Sequence, residues 1–177
     1  MQDSTDNRNY KYYAFISYSH NGNSMFAEKV RKFFPQSTLF SKDDMRMAVW
    51  LQKKLESYRL PTTICKKFEI NPKQRIKPIF RDEDELGCGV LDVELNKNLD
   101  ASKCLIVLCS PYSAKPNKTG FNHINNEIKH FIDKNGTKYV IPVIINGVPN
   151  DSEQECFPPE IKKHNFVDQN QDGYATI

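Results

Sequence analysis

The chain lacks the features that mark membrane, secreted and disulfide-rich proteins. Its longest apolar runs, such as Cys104 to Cys109, are far shorter than the roughly 20 residues that span a bilayer. The N-terminal segment MQDSTDNRNYK contains no apolar stretch of the kind that a signal peptide requires. The five cysteines are odd in number and show no CxxC spacing, which argues against a disulfide framework or a zinc knuckle. These absences predict a cytoplasmic protein with reduced thiols.

The chain also lacks a strong charge of either sign. Its formal net charge is +3, its acidic and basic residues are well mixed, and it carries no nucleic-acid-binding motif, so we expect no nucleic-acid partner. It has no repeats and no low-complexity segment. Its 177 residues, 38% of them hydrophobic, suffice for one domain with a single core. We expect residues 1–10 to be a disordered tail and residues 11–177 to form one domain, truncated before its last helix and any sensing domain.

Short continuous apolar runs alternate with helical patterns along the chain. Strands are predicted at Tyr12 to Tyr18, Arg75 to Phe80, Cys104 to Cys109 and Tyr139 to Ile145, with a short fifth strand beginning at Asn165 to Val167. Helices are predicted at Met25 to Phe34, from Ser41 or Asp43 to about Tyr58, at Val90 to Leu99, and at Phe121 to Ile132 with Gly136 as its cap. Pro78 indicates an edge position for the second strand. This alternation predicts an α/β fold with a largely parallel sheet.

In a doubly wound parallel sheet, ligands bind beyond the carboxyl ends of the strands, where the strand order reverses. If the order is 2-1-3-4-5, that point lies between the first and third strands. The segment Ser17 to His20 and the loop that begins at Ser110 would meet there. The predicted helix that contains Glu127 starts from the same loop, so three separate segments are expected to converge on one cleft.

The helix predicted at FNHINNEIKHFI carries a carboxylate beside its apolar face. Ile124, Ile128 and Phe131 recur at helical spacing, and Glu127 lies at the edge of their stripe, one turn after His123. Such a group is either a solvated surface residue or one aimed into a cleft.

Two sets of residues raise the question of a metal site. His123, Glu127 and His130 share one helical stripe and could in principle bind zinc, but the HExxH motif is absent and the three positions span two turns. The acidic run Asp82 to Glu85 lacks the spacing of an EF-hand. We therefore predict no metal site.

Four segments, in order and at matching spacing, resemble bacterial Toll/interleukin-1 receptor (TIR) domains over about residues 11–170. They are AFISYSH from Ala14, WLQKKLESYRLP from Trp50, PIFRDEDEL from Pro78 and LIVLCSP from Leu105. The resemblance implies a flavodoxin-like, doubly wound, mostly parallel five-stranded sheet of order 2-1-3-4-5. It also implies activity, because many prokaryotic members cleave the nicotinamide–ribose bond of NAD+ and some cyclise the product.

The resemblance implies the site residues as well. It assigns the catalytic carboxylate to Glu127, and His123 stands where the family usually has a Trp. Phe15 or Tyr18 is then expected to stack on the nicotinamide, although Phe15 can equally be a core residue and Ser17 and Tyr18 can simply end the strand. The residues expected to contact NAD+ are Phe15, Ser17, Tyr18, Arg81, Asp82, Leu86, Ser110 and His123.

Two further segments carry expectations from the family. The segment from Asp82 to Gly89 resembles the BB loop, which mediates TIR–TIR self-association. The stretch from Asn21 to Arg46 is longer than usual between the first strand and the first helix, and it is expected to cover the cleft or to form a partner surface.

The chemistry of NAD+ explains why one carboxylate would suffice. The nicotinamide is cationic before the bond breaks and leaves neutral, so no general acid is needed, unlike in the two-carboxylate glycosidases. A single carboxylate can stabilise the oxocarbenium-like ribose electrostatically. The resemblance, with this chemistry, therefore implies an NAD+ hydrolase or ADP-ribosyl cyclase of anti-phage defence, with NAD+ as substrate and no cofactor.

Two other functions were weighed against the enzyme. One is a non-catalytic TIR module that acts by homotypic association, which the His at position 123 favours slightly. The other is a phosphorylated receiver domain, which requires an Asp after the third strand, where this chain has Ser110.

Overall fold

Four parallel β-strands form the centre of the computed structural model, which describes residues 9–19, 47–81, 90–117 and 119–164, with the backbone alone at 90–92. The strands are β1 (Tyr12–Ser17), β2 (Ile79–Arg81), β3 (Ser102–Cys109) and β4 (Val140–Ile144). The helices are α1 (Met47–Ser57), α2 (Thr62–Lys67), α3 (Val90–Asp100), α4 (Pro111–Ala114), α5 (His123–Asn135) and α6 (Pro159–Lys163). A 3-10 turn, Thr137–Tyr139, joins α5 to β4.

The strand order is β2-β1-β3-β4, and every neighbouring pair is parallel. The register places Phe15 of β1 between Phe80 of β2 and Leu105 of β3, and Leu105 in turn beside Val140 of β4. The predicted α/β class and the first four places of the predicted order are confirmed. The predicted fifth strand at Asn165 to Val167 and the predicted helix at Met25 to Phe34 lie outside the described residues.

Apolar side chains cover both faces of the sheet because neighbouring residues of a strand point to opposite sides. Phe15, Leu105 and Val107 face a cluster that α3, α5 and α6 complete with Leu99, Ile124, Ile128, Phe131 and Ile161. Ala14, Ile16 and Leu108 face the opposite cluster, which α1 completes with Met47 and Ala48. Helices on both faces make this a doubly wound sheet.

β2 begins later than predicted. The strand starts at Ile79, whereas the apolar pattern had placed its start at Arg75. Pro78 has no N–H to give to a sheet, and the Lys77–Pro78 bond is cis. Only the Pro78 carbonyl joins the ladder, by accepting from the Tyr13 N–H at 2.9 Å. Within the described residues β2 pairs with β1 alone, which agrees with the predicted edge position of this strand.

Three short helices were missing from the sequence prediction: α2, α4 and α6. Each has six residues or fewer, which is too short to show a helical period. Each also starts at a proline, either as the residue before the helix (Pro61, Pro158) or as its first residue (Pro111, Pro159). Proline suits these positions because its missing N–H has no helical partner there.

The prediction for α5 was close. Gly136 ends the helix with a positive φ of 76°, and its N–H donates to the Ile132 carbonyl at 2.8 Å, so the predicted cap is confirmed.

The described parts of the chain contain no helix long and apolar enough to cross a membrane. Their four cysteines are free: Cys65, Cys104, Cys109 and Cys156.

Candidate functional site

A recess of about 220 Å³ lies between α3 and α5, on one face of the sheet. We call it the α3–α5 recess. Seven residues line it: Leu95, Asn96, Phe121, His123, Asn126, Glu127 and His130. An apolar side chain, two amides, three rings and one carboxylate thus surround a single space.

Glu127 is the carboxylate of the recess, and only 9% of its surface is exposed. Glutamates are almost never so buried without a partner or a role. Its position follows from the way α5 is rotated about its own axis. Ile124, Ile128 and Phe131 pack on the sheet, and the adjoining stripe of the helix, which contains Glu127, faces α3. Glu127 is therefore not the solvated surface residue that was one of the two interpretations of the sequence.

The start of α5 is held by Asn122. Its side-chain oxygen accepts from the Asn125 N–H at 2.9 Å, and its amide nitrogen donates to the Ser113 carbonyl at 3.0 Å. The first bond caps the helix, and the second ties that cap to α4 at the carboxyl end of β3. Glu127 thus lies within two turns of a helix start that is fixed to the sheet.

His123 and Phe121 form the aromatic part of the recess. Their ring centroids are 4.5 Å apart, and the two planes meet at 77°, so the rings make a corner. His123 occupies the position of the usual Trp and lines the same recess as Glu127.

Phe121 was not among the predicted site residues. It precedes the cap Asn122 and stands outside the apolar stripe of α5, so periodicity gives it no role in the core. The signal that could have found it in the sequence was an aromatic residue directly before the start of a helix and outside its apolar stripe.

His130 lies at the far end of the recess and is paired with α3. Its Nε2 is 2.8 Å from Oδ1 of Asp100, and Lys134 makes an ion pair with Oδ2 of the same carboxylate. Burial alone would raise the pKa of Asp100, but the hydrogen bonds and charges of Lys134 and His130 outweigh it and hold the pKa below its usual value.

The stripe of His123, Glu127 and His130 was weighed above as a zinc site. Within the described residues, no three His, Cys, Asp or Glu side chains are grouped closely enough to hold a metal ion.

Phe15 is a core residue. Its side chain has no exposed surface and packs on Phe80, with ring centroids 5.1 Å apart. Of its two sequence interpretations, the structure fits the core one, since a ring without exposed surface offers no face for stacking.

Ser17 lies on the same side of the sheet as Phe15, because the two are two positions apart along β1. It is 1% exposed, and its hydroxyl has no hydrogen-bond partner among the residues that the structure describes. An unpaired buried hydroxyl is uncommon in a folded protein.

Tyr18 and Arg81 belong to the opposite face of the sheet. Tyr18 is buried in the cluster under α1, and its hydroxyl accepts from Arg81 at 3.2 Å. Arg81 also donates to the side chain of Gln52, which donates in turn to the Ile79 carbonyl at 2.9 Å. These two predicted contacts of NAD+ are brought together with each other but do not line the α3–α5 recess.

Ser110 is a structural cap. It is fully buried at the end of β3, and its hydroxyl accepts from the Tyr112 and Ser113 N–H groups at 3.3 Å each. The Ser113 hydroxyl accepts from the Ser110 N–H at 2.8 Å, which completes a capping box for α4.

The remaining predicted residues, Asp82 and Leu86, lie outside the described residues. The BB-loop segment from Asp82 to Gly89 and the stretch from Asn21 to Arg46 lie outside them as well.

Three of the four described thiols have a raised pKa, and the fourth, Cys65, is buried. Burial raises the pKa of Cys104 to about 11. Burial, with the nearby Glu155, raises the pKa of Cys156 to about 11 as well, and burial raises that of Cys109 further. A nucleophilic cysteine needs a lowered pKa and some exposure. None of these described thiols lines the α3–α5 recess, where Glu127 supplies the carboxylate.

A comparison with known families places this geometry in context. The family model described as "Thoeris protein ThsB, TIR-like domain" matches residues 15–150, which contain all of β2, β3, β4, α3 and α5. No curated protein and no solved structure matches the chain. Thoeris proteins act in anti-phage defence. Since the match covers well over half of the sequence and confirms the resemblance to bacterial TIR domains, the chain belongs to the family of the Thoeris ThsB TIR-like domain.

Proposed function

We propose that this chain cleaves the nicotinamide–ribose bond of NAD+ in anti-phage defence, with Glu127 as its catalytic carboxylate. The observation that carries the proposal is the burial of Glu127 at a recess between α3 and α5, on the segment that the family model covers. A carboxylate kept from water at a concave site is a candidate for chemistry rather than for solubility.

The proposed reaction needs little more than this group. The C–N bond breaks with its electron pair going to the nicotinamide nitrogen, so the cationic ring leaves neutral and the positive charge moves to the ribose. The Glu127 carboxylate stabilises that oxocarbenium-like ribose, and its effect is stronger where water is excluded. Water, or a nitrogen of the adenine, then attacks the ribose carbon. The first gives ADP-ribose and a proton, and the second gives a cyclic isomer.

The size of the recess indicates which part of NAD+ it receives. Pockets that enclose whole drug-sized ligands usually measure about 300–1,000 Å³. The 220 Å³ beside Glu127 suits one end of the dinucleotide better than the whole of it. The reacting end is the nicotinamide riboside, so we place that end in the recess and the adenosine outside it.

The second candidate is a non-catalytic TIR module that works by homotypic association. It is favoured by one observation, that His123 replaces the Trp that catalytic members usually carry. In this case the recess would be a remnant, and replacing Glu127 would leave all behaviour of the protein unchanged.

The test is NAD+ turnover by the wild-type chain and by Glu127→Gln, with products separated by chromatography. The substitution removes the charge and keeps the shape, so we expect nicotinamide release to fall by about 10²–10³-fold. The matched control is Asp133→Asn, which makes the same charge change at an exposed position of the same helix. We expect it to retain wild-type turnover.

Two results would contradict the proposal. One is nicotinamide release that stays at background in the wild type, even when the protein is concentrated or forcibly clustered. The other is equal turnover in the wild type and Glu127→Gln, which would move the chemistry away from the recess. The co-product of the active enzyme distinguishes hydrolysis from cyclisation.

A further inference from the structure

Phe121 is a large aromatic residue displayed at a recess that contains a carboxylate. It is 43% exposed, although aromatic side chains dominate the cores of proteins. We propose that Phe121 and His123 form the binding corner for the cationic nicotinamide ring, beside Glu127. This inference rests on the proposed function and names the residue that recognises the reacting end of the substrate.

The loop that carries Phe121 is held in one shape by Asn117. The side-chain oxygen of Asn117 accepts from the Thr119 N–H at 2.9 Å, from the Thr119 hydroxyl at 2.6 Å and from the Phe121 N–H at 3.0 Å. The backbone N–H of Asn117 donates to the Phe121 carbonyl at 2.8 Å. Gly120 allows the turn with a positive φ of 81°. The backbone of Phe121 is thus fixed from both sides, and its ring is left partly exposed at the recess.

The groups around the recess are suited to a flat cation. An aromatic ring attracts a cation through its negative face, and the attraction grows when water is excluded. A carboxylate attracts the same charge directly. The perpendicular rings of Phe121 and His123 offer a stacking face and an edge contact at once. The pyridinium of NAD+ is both flat and positively charged.

No other aromatic residue in the described parts of the chain competes for this role at the recess. Phe15 has no exposed surface, and Tyr18 is buried in the cluster on the opposite face of the sheet. The rings that line the recess are those of Phe121, His123 and His130, and His130 is paired with Asp100.

The same contacts would also help the product to leave. When the C–N bond breaks, the ring keeps the electron pair and becomes neutral, so its attraction to the aromatic corner and to Glu127 falls. The corner therefore binds the ground state more strongly than the departing nicotinamide. By this argument, losing Phe121 raises KM for NAD+ and leaves kcat unchanged or higher.

The experiment compares two small probes that differ in charge, 1-methylnicotinamide and neutral nicotinamide. Their binding is measured by NMR titration of the wild type, Phe121→Leu, Phe121→Trp and Tyr112→Leu. Tyr112 is the matched control, because it is 44% exposed and does not line the recess. We expect the wild type to prefer the cation, and Phe121→Leu to lose affinity for it by about 5- to 30-fold. Phe121→Trp is expected to keep the preference, and Tyr112→Leu to behave as the wild type.

The outcomes separate this inference from the proposed function. Unchanged binding of the cation in Phe121→Leu overturns the inference, even if Glu127→Gln abolishes turnover. A wild type that binds neither probe, or prefers the neutral one, overturns it too. A preference for the cation that depends on Phe121 supports the inference even in a protein that shows no turnover, and only the proposed function would then fail. Equal thermal unfolding of all four proteins excludes misfolding as the cause.

Discussion

At the scale of single residues, the burial of Glu127 is a consequence of its neighbours. Ile124, Ile128 and Phe131 each remove apolar surface from water, and burying such side chains stabilises by about 1.5–3 kcal/mol each. Their packing decides the roll of α5 and carries Glu127 inward with it. The burial of these three apolar side chains thus offsets the free-energy cost of removing the Glu127 carboxylate from water.

Gly147 is the residue where a single added carbon should be least tolerated. It follows β4 with a positive φ of 90°, and a Cβ there would lie 2.6 Å from the Gln154 carbonyl oxygen and 2.8 Å from the Cys156 Cβ. Gly147→Ala combines a left-handed backbone with overpacking, and the overpacking alone typically costs about 1–3 kcal/mol. We expect its free energy of unfolding, measured in urea, to fall by at least that amount.

Gly136→Ala is the matched control for this prediction. Gly136 has a similar positive φ of 76°, but nothing lies within 4 Å of the place its Cβ would take. This variant should lose only the backbone term for a side chain at positive φ, on the order of 1–3 kcal/mol. Equal losses in the two variants would show that the close contacts at Gly147 relax without cost.

The sequence could predict the surroundings of some of these residues and not of others. The helical spacing placed Glu127 at the edge of the apolar stripe, because the stripe is visible in one segment, but it left open whether the carboxylate is solvated or buried. The faces of the sheet on which Phe15 and Tyr18 lie could not be predicted, since alternation along β1 shows only that neighbours point apart. Which face meets α1 and which meets α5 depends on the crossovers, and no local pattern records them.

At the scale of elements, the walls of the recess are tied together at one end by Asp100. This residue closes α3, and it pairs with His130 and Lys134 of α5. A carboxylate at a helix C-terminus is unfavourable on its own, because the helix dipole is negative there. His130 and Lys134 of α5 offset this unfavourable interaction and hold α3 against α5.

We expect this tie to weaken in acid. The pKa of Asp100 is lowered in the folded protein, so its contribution is fully present above the unfolded carboxyl value, near 4, and is lost as the pH falls through the folded value. The groups are partly exposed, which limits the effect to about 1 kcal/mol or less. Urea unfolding of the wild type and Asp100→Asn at pH 7 should differ by this amount.

The same comparison at about pH 3 gives the check on the sign. There the difference should be smaller than at pH 7, because the contribution of the Asp100 charge is lost as the pH falls from the unfolded carboxyl value through the lower folded pKa. A difference that stays constant between the two pH values would mean that Asp100 acts by packing or neutral hydrogen bonding, and not through its charge.

Long elements could be predicted from the sequence and short ones could not. β3 and α5 extend over enough residues to show their periods, and both were predicted within a few residues of their observed bounds. The helices α2, α4 and α6 form because prolines and caps start them, such as the Ser110–Ser113 box. Such helices depend on tertiary contacts more than on pattern.

At the scale of the whole molecule, the predicted site residues do not lie in one cleft. The switch point between β1 and β3 was expected to bring together three segments: Ser17 to His20, the loop that begins at Ser110, and the helix that contains Glu127. The structure divides the predicted site residues, with Glu127 and His123 on the side of α3 and α5, and Tyr18 and Arg81 on the side of α1. A dinucleotide that reaches both sets has to cross the edge between the two faces.

Assembly would affect turnover, because the recess is proposed to receive only one end of NAD+. If a second copy supplies part of the surface for the rest of the dinucleotide, as self-association in the family implies, activity per molecule depends on concentration. We expect the specific rate of nicotinamide release to rise with protein concentration in parallel with the associated fraction measured by sedimentation. An unrelated protein added at equal mass is the control, because crowding by itself changes stability only slightly. A specific rate that stays constant while sedimentation shows a monomer throughout would mean that one chain completes its own site.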